Sequence, residues 1–179
     1  GFKWISRLPG LLFGFEEALG YLVNPETVRD KDGISAGLLL ASIAAEQKAH
    51  GSTLRELLAD IQVEVSGFAS DQISLRFDSP QQAADLMVSV RQEPEEVFAN
   101  LGVNSITDYR DGAAGLPPAN IVQFDLSSGD RIIMRPSGTE PKLKVYIDSL
   151  RPSQAEADEA AENLVKQVRE SIKALTEAN

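Results

Sequence analysis

The sequence predicts an α/β segment followed by an α+β domain, in which a mostly antiparallel sheet packs with two helices. An Ala- and Leu-rich helical pattern dominates the first part of the chain, whereas alternating apolar and polar residues typical of strands dominate residues 104–148. Capped amphipathic helices precede and follow those strands. We therefore expect two domains, at residues 1–70 and 71–179.

The first domain begins with a short apolar run at residues 11–15, which predicts a buried strand after Pro9 and Gly10. A helix is expected from Gly33 to Ala49, because glycine follows it closely and stops it. The single histidine, His50, then caps that helix rather than acting as a catalyst. A capping box of Thr53 and Glu56 predicts the start of a second helix.

The domain boundary is placed where the pattern changes. Val63 and Val65 alternate with polar residues as in a strand, residues 66–71 are typical of a connector, and Ile73, Leu75 and Phe77 alternate again.

In the second domain, capping residues and turns fix the expected elements. Ser79 and Pro80 predict a helix to about Arg91, and Ser153 with Glu156 predicts a long final helix. Between the helices, strands are expected at residues 104–110, 121–126, 131–135 and 143–148, with a turn at residues 127–130. The core stripe of the final helix is predicted to comprise Ala161, Leu164, Val165, Val168, Ile172 and Leu175.

Composition narrows the functional classes. The chain of 179 residues carries 27 acidic and 17 basic side chains, a net charge of −10, which argues against a protein that binds duplex nucleic acid. The absence of cysteine excludes disulfides, zinc ribbons and cysteine nucleophiles from this sequence. No stretch approaches the roughly 20 apolar residues that a membrane span needs. These features favour a cytoplasmic protein that does not act on a membrane.

The segment from Arg135 to Lys144 is the strongest candidate for a ligand site. Arg131, Arg135, Lys142 and Lys144 are four of the 17 cations and fall within fourteen residues. Gly138 permits a backbone bend, and the neighbouring Ser137 and Thr139 add hydroxyl donors, so the loop is suited to a phosphate. The alternative, a solvated hairpin with ordinary surface cations, remains open at this point.

Two other segments carry charged residues that could contact a ligand. Glu16 and Glu17 follow an expected strand and could accept hydrogen bonds from polyol hydroxyls, or could complement a helix dipole. Lys31 lies between Asp30 and Asp32 just before a helix, where a charged turn that caps the helix is the alternative.

Taken together and in order, these segments resemble the C-terminal part of the α-D-phosphohexomutases, the superfamily of phosphoglucomutases and phosphomannomutases. Residues 1–4 resemble the opening loop of the third domain, residues 15–18 its sugar-binding loop, residues 29–33 the following segment, and residues 135–142 the phosphate-binding loop of the fourth domain. The amino-acid sequence of residues 15–21 is most similar to that of the phosphoglucomutase-2/phosphopentomutase-like branch. The resemblance implies the remnant of a third mutase domain followed by a complete fourth domain.

The resemblance also implies roles for individual residues. Glu16 and Glu17 would contact sugar hydroxyls, although Ala18 replaces the serine of the family loop, and Lys31 would serve in general acid/base work. A second set would hold the phosphate that does not react: Arg135, Ser137, Gly138, Thr139 and Lys144.

Enzymes of this family transfer phosphoryl groups through a phosphoserine and a bisphosphate intermediate with the help of Mg²⁺. Neither the serine loop nor the magnesium loop of the family occurs in this sequence. We therefore expect a C-terminal fragment that is inactive alone, with hexose or pentose phosphate as ligand and the missing N-terminal domains as its partner. The alternative is a free-standing module that binds sugar phosphates or other anions.

Overall fold

A computed structural model of the chain describes residues 2–16, 19–113, 115–138 and 140–177, with only the backbone of Lys3 and Glu177. The chain divides between Ile61 and Gln62 into two compact units, which we call unit 1 and unit 2. Unit 1 begins the chain, and unit 2 extends to its end.

Unit 1 contains a short hairpin and two long helices, with little buried core. Its elements are α1 (Phe2–Ile5), β1 (Gly14–Glu16), β2 (Gly20–Leu22), α2 (Gly33–Ala49) and the beginning of α3 (Leu54–Val65). The strands β1 and β2 pair antiparallel. Phe2 and Leu22 are buried, and a Cβ atom on Gly14 would be in tight contact with both, at 3.3 and 3.4 Å.

The helix ends of unit 1 confirm the capping predictions. The side chain of Asp32 accepts a hydrogen bond from the Ile34 amide and caps α2, which ends at His50. At the start of α3, the Glu56 carboxylate accepts from the Thr53 amide at 2.8 Å, and Thr53 Oγ1 accepts from the Glu56 amide at 3.2 Å. Each side chain satisfies an amide that the first helical turn leaves unpaired.

The buried strand expected at residues 11–15 is wrong in extent and burial. The strand covers only Gly14–Glu16, Leu12 is 85% exposed, and Phe13 and Phe15 are more than half exposed. The hairpin of two three-residue strands offers no second layer against which these side chains could pack. None of the residues of helix α2 is buried, and Ile34, Leu38 and Leu40 are each more than half exposed.

Unit 2 is an antiparallel sheet with helices against one face. The strands have the spatial order β3-β7-β6-β5-β4, and every neighbouring pair is antiparallel. The strands are β3 (Gly67–Arg76), β4 (Val103–Asp108), β5 (Val122–Leu126), β6 (Arg131–Pro136) and β7 (Lys142–Arg151). The helices are α4 (Pro80–Gln92), α5 (Pro94–Val97) and α6 (Gln154–Glu177), and a 3₁₀ turn spans Ala99–Leu101.

The two faces of β7 explain how the sheet is built. Leu143, Val145 and Ile147 are fully buried, and they belong to the same core as Leu164 and Val168 of α6. The residues between them are half-buried and lie on the opposite face, as the two-residue period of a strand requires. The core stripe of α6 is confirmed for Ala161, Leu164, Val168 and Ile172, which are buried, and Val165 and Leu175 are partly buried.

The segment between the two units differs from the sequence prediction. Helix α3 continues through Val65, where a strand was expected to begin, and ends at Ser66, whose φ is 72°. The predicted connector at residues 66–71 is wrong, because β3 begins at Gly67 and pairs with β7 along its full length. The division between the compact units falls between Ile61 and Gln62, ahead of the boundary expected between residues 70 and 71.

Candidate functional site

The loop that joins β6 to β7 in unit 2 forms a tight turn held by main-chain amides. The Ser137 amide donates to the Lys142 carbonyl at 2.8 Å, and the Lys142 amide donates to the Glu140 carbonyl at 2.7 Å. The Glu140 amide donates to Ser137 Oγ at 3.2 Å. Hydrogen bonds within the predicted phosphate loop therefore hold the main chain of Ser137, Glu140 and Lys142 in place. Thr139, which was assigned to the same site, lies outside the described residues.

Arg135 and Lys144 lie next to each other across two strands at the start of this loop. They are register partners on β6 and β7, on the face of the sheet opposite the helices. Arg135 is exposed, and Lys144 Nζ lies 5.9 Å from the centre of the Tyr146 ring. No carboxylate within the described ranges forms an ion pair with either cation. Their geometry leaves both charges available to an anionic ligand.

The other two cations of the predicted cluster have carboxylate partners. Lys142 Nζ lies 2.7 Å from Glu140 Oε1, within the loop itself. Arg131 lies at the far end of β6, where its Nε donates to Asp148 at 3.0 Å. The expectation that all four cations form one anion site is therefore corrected. Arg131 is instead paired with Asp148 of β7, at the end of β6 away from the loop.

A fifth cation, Arg76, was not predicted to belong to this loop. It lies at the end of β3 and is the register partner of Lys142. The Phe77 amide next to it donates to the Pro141 carbonyl at 2.9 Å and joins the end of β3 to the loop. Only the pairing of β3 with β7 brings Arg76 here, and the two strands are far apart in the sequence.

Gly138 does not need to be glycine for the fold of the described residues. It does not adopt the left-handed backbone conformation that favours glycine, and a Cβ atom at this position would meet nothing within 4 Å. Neither the backbone bend nor the packing of the described residues requires glycine here. The missing side chain therefore leaves open space at this point of the loop.

In unit 1, the structure brings two other predicted residues together. Glu16 ends β1 opposite Gly20 of β2, and Lys31 Nζ lies 3.9 Å from Glu16 Oε1. A Cβ atom on Gly20 would lie 2.6 Å from Glu16 Cγ and closer still to Lys31 Cδ. Glycine at position 20 thus allows the carboxylate and the ammonium group to converge. Glu17 and Ala18 lie outside the described residues.

The position of Lys31 is set by its neighbours. The Asp32 amide donates to the Tyr21 carbonyl at 2.8 Å, and Lys31 Nζ lies 4.9 Å from the centre of the Phe2 ring. The Lys31 main-chain amide donates to Asp30 Oδ1, and this bond together with the Lys31 charge lowers the pKa of Asp30. The Lys31 side chain is 46% exposed. A half-exposed ammonium can donate hydrogen bonds to the hydroxyl groups of a polyol, and the carboxylate beside it can accept hydrogen bonds from them.

The described part of the chain holds neither a cluster of potential metal ligands nor a membrane-spanning helix. Within residues 2–16, 19–113, 115–138 and 140–177, no three His, Cys, Asp or Glu side chains are grouped so that they could hold a metal ion. No helix in the described part of the chain has the length and apolar character needed to cross a bilayer.

Comparison with known proteins places both units in one family. Residues 1–63 match the phosphoglucomutase/phosphomannomutase alpha/beta/alpha domain III, and residues 78–169 match the phosphoglucomutase/phosphomannomutase C-terminal domain. The similarity to solved structures includes pp63/parafusin, a phosphoglucomutase from Paramecium in its open form. The two structures superpose with a TM-score of 0.73 at 22% sequence identity. The match covers 97% of this chain and 32% of the parafusin chain, and it establishes the fold.

Similar sequences among curated proteins agree with this assignment. A probable phosphomannomutase of Haemophilus influenzae is 38% identical over 173 residues, which are 97% of this chain and 35% of the relative. A phosphoglucomutase of Staphylococcus epidermidis is 34% identical over 82% of this chain and 30% of the relative. The chain thus spans about a third of the length of the relatives it matches, and it belongs to the phosphoglucomutase/phosphomannomutase family through its domain III and C-terminal domain sequences.

Proposed function

We propose that this chain is the sugar- and phosphate-binding part of a phosphohexomutase, which interconverts hexose 1- and 6-phosphates through a phosphoserine enzyme and a bisphosphate intermediate. The observation that carries the proposal is the pair of adjacent cations, Arg135 and Lys144, at the start of a turn with open space at Gly138. The chain has a net charge of −10, yet no described carboxylate forms an ion pair with either of these two neighbouring cations. This arrangement favours an anionic ligand.

The proposed roles follow from the chemistry of each group. The Arg135 guanidinium can donate two parallel hydrogen bonds to a phosphate, and Lys144 adds a point charge beside it. The hydroxyls of Ser137 and Thr139 would donate to the remaining phosphate oxygens, while Gly138 lets the phosphate approach the main chain. This set would hold the phosphate group that is not being transferred.

The residues of unit 1 are assigned to the sugar. Glu16 and Glu17 would accept hydrogen bonds from sugar hydroxyls, because carboxylates are strong acceptors. Lys31 would move a proton to or from a sugar oxygen, with Glu16 as its nearby partner at 3.9 Å. The ligand class is a hexose phosphate, or a pentose phosphate of similar geometry.

The phosphoryl transfer itself needs groups that the sequence and the described residues do not supply. The serine loop of the family does not occur in the sequence, and the described residues provide no three-carboxylate cluster for Mg²⁺. When bound, Mg²⁺ would neutralise charge on the transferring phosphoryl group. We infer that its ligands belong to the other domains of the parent enzyme, that the chain alone has no mutase activity, and that the parent works in the cytoplasm.

Binding of glucose 1-phosphate to the 179-residue chain tests this proposal. We would titrate the ¹⁵N-labelled chain with glucose 1-phosphate and follow the amide resonances, with mannose 1-phosphate and ribose 5-phosphate as further ligands and glucose as the uncharged control. Saturable shifts are expected at residues 135–144 with each phosphate and not with glucose. Shifts spread over unrelated surfaces, or equal shifts with glucose, would contradict the proposal.

A further inference from the structure

Glu140 places a carboxylate among the cations of the phosphate loop. Lys142 Nζ donates to Glu140 Oε1 at 2.7 Å; the Lys142 side chain is 17% exposed and that of Glu140 is 55% exposed. The hydrogen bond and charge of Lys142 lower the pKa of Glu140, and the charges of Arg76 and Lys144 lower it further. Glu140 is therefore ionised at neutral pH, and the loop already holds an anion of its own.

The described hydrogen bonds that close the turn do not involve this carboxylate. The turn is closed by the Ser137 amide on the Lys142 carbonyl, the Lys142 amide on the Glu140 carbonyl, and the Glu140 amide on Ser137 Oγ. All three bonds use main-chain donors, and none uses the Glu140 side chain. Replacement of the carboxylate by an amide would keep these bonds, so its effect on ligand binding would be electrostatic.

We propose that Glu140 sets the affinity of the loop by competing with the bound phosphate for the cations of the loop. This inference rests on the proposed function of the loop. Glu140 forms an ion pair with Lys142, and the charges of Arg76 and Lys144 also attract it. Its negative charge therefore weakens the attraction of the loop for a second anion. In the proposed reaction, the phosphate group held by the loop must leave it when the bisphosphate intermediate turns around. A built-in competitor makes that release easier.

The test compares Glu140→Gln with a matched loss of charge elsewhere. Glu159→Gln removes one negative charge from an exposed position of α6 and serves as the control. The dissociation constant of glucose 1-phosphate would be measured by titration calorimetry on the 179-residue chain and on both variants, at about 50 and 300 mM salt. Arg135→Ala would be measured beside them, because it tests the loop site independently.

Glu140→Gln is expected to bind glucose 1-phosphate about two- to tenfold more tightly than the unmodified chain at low salt. The gain should shrink at high salt, where charges at the surface are screened, and Glu159→Gln should change the dissociation constant less than about twofold. A purely structural role would not produce tighter binding that salt abolishes.

Two results would overturn the inference and are distinguishable. If Arg135→Ala abolishes binding but Glu140→Gln binds no more tightly than the unmodified chain, the loop binds phosphate and Glu140 is not a competitor. If the unmodified chain and Glu140→Gln both fail to bind glucose 1-phosphate, the proposed function fails, and the role of Glu140 fails with it.

Discussion

Replacement of Gly138 by alanine should separate ligand binding from folding. A Cβ atom at this position would meet nothing within 4 Å, and the residue is outside the left-handed region, so the folded state accommodates alanine without strain. Alanine also reduces the freedom of the unfolded chain, which by itself stabilises a protein by about 0.4–1 kcal/mol. We therefore expect the free energy of unfolding of Gly138→Ala to be unchanged or slightly higher. The new methyl group would nevertheless occupy the space that a phosphate needs beside the turn amides.

Gly67 provides the matched control, because it is a glycine of the same unit with the opposite surroundings. A Cβ atom there would lie 2.5 Å from the Gln154 nitrogen and closer still to the Ser153 carbonyl, and both are main-chain atoms that cannot turn aside. Gly67→Ala should therefore destabilise unit 2 by about 3 kcal/mol or more.

Urea unfolding gives the stability of each variant, and titration with glucose 1-phosphate gives its affinity. Gly138→Ala should keep its unfolding midpoint and bind about tenfold more weakly. Loss of stability in Gly138→Ala, or unchanged affinity in the stable variant, would refute the reasoning that the open space is kept for a ligand.

Three further predictions follow from other contacts. Asp130 is buried; burial would raise its pKa, but hydrogen bonds from Arg151 and Ser128 outweigh burial and lower it. Arg151→Ala should therefore cost about 3–5 kcal/mol in urea unfolding at pH 7. The difference should shrink as the pH falls below about 4, the ordinary pKa of an aspartate, and on through the lower pKa of Asp130 in the folded chain; a constant difference would show that the ion pair is not responsible. Gly20→Ala should push the Glu16 and Lys31 side chains apart and weaken binding of glucose 1-phosphate more than binding of inorganic phosphate; equal weakening would argue against a sugar contact. Limited proteolysis should leave a resistant piece that begins shortly before β3, because unit 2 has a continuous core whereas α2 has no buried residue, and earlier loss of unit 2 would contradict this.

The elements that the sequence predicted well are those set by local contacts. The Ser79 side chain accepts from the Gln82 amide and starts α4, and Ser153 and Glu156 cap α6 reciprocally, as the spacing of these residues indicated. The turn after β5 and the alternation of β7 are likewise readable, because a turn or a strand face is defined by neighbouring residues.

Features that depend on distant pairing were not predictable in the same way. The first residues of β3 carry small and polar side chains typical of a connector, and only their pairing with β7 makes them a strand. The same holds for the cations of the loop: Arg131 finds Asp148 at a separation of 17 residues, and Arg76 joins Lys142 across two strands. The sequence therefore located the candidate site, whereas strand register decided which of its charges remain available.

The central claim is that Arg135 receives the phosphate of the ligand, and one comparison tests it most directly. Arg135 and Arg131 are both exposed arginines of β6. Of the two, only Arg131 forms an ion pair with a described carboxylate, that of Asp148. The dissociation constant of glucose 1-phosphate would be measured for Arg135→Ala and Arg131→Ala, with circular dichroism to verify folding. A two-bond contact to phosphate is worth about 1.5–3 kcal/mol, so Arg135→Ala should weaken binding roughly ten- to a hundredfold, and Arg131→Ala less than about threefold. Equal weakening in both variants, or unchanged affinity in a folded Arg135→Ala chain, would contradict the account.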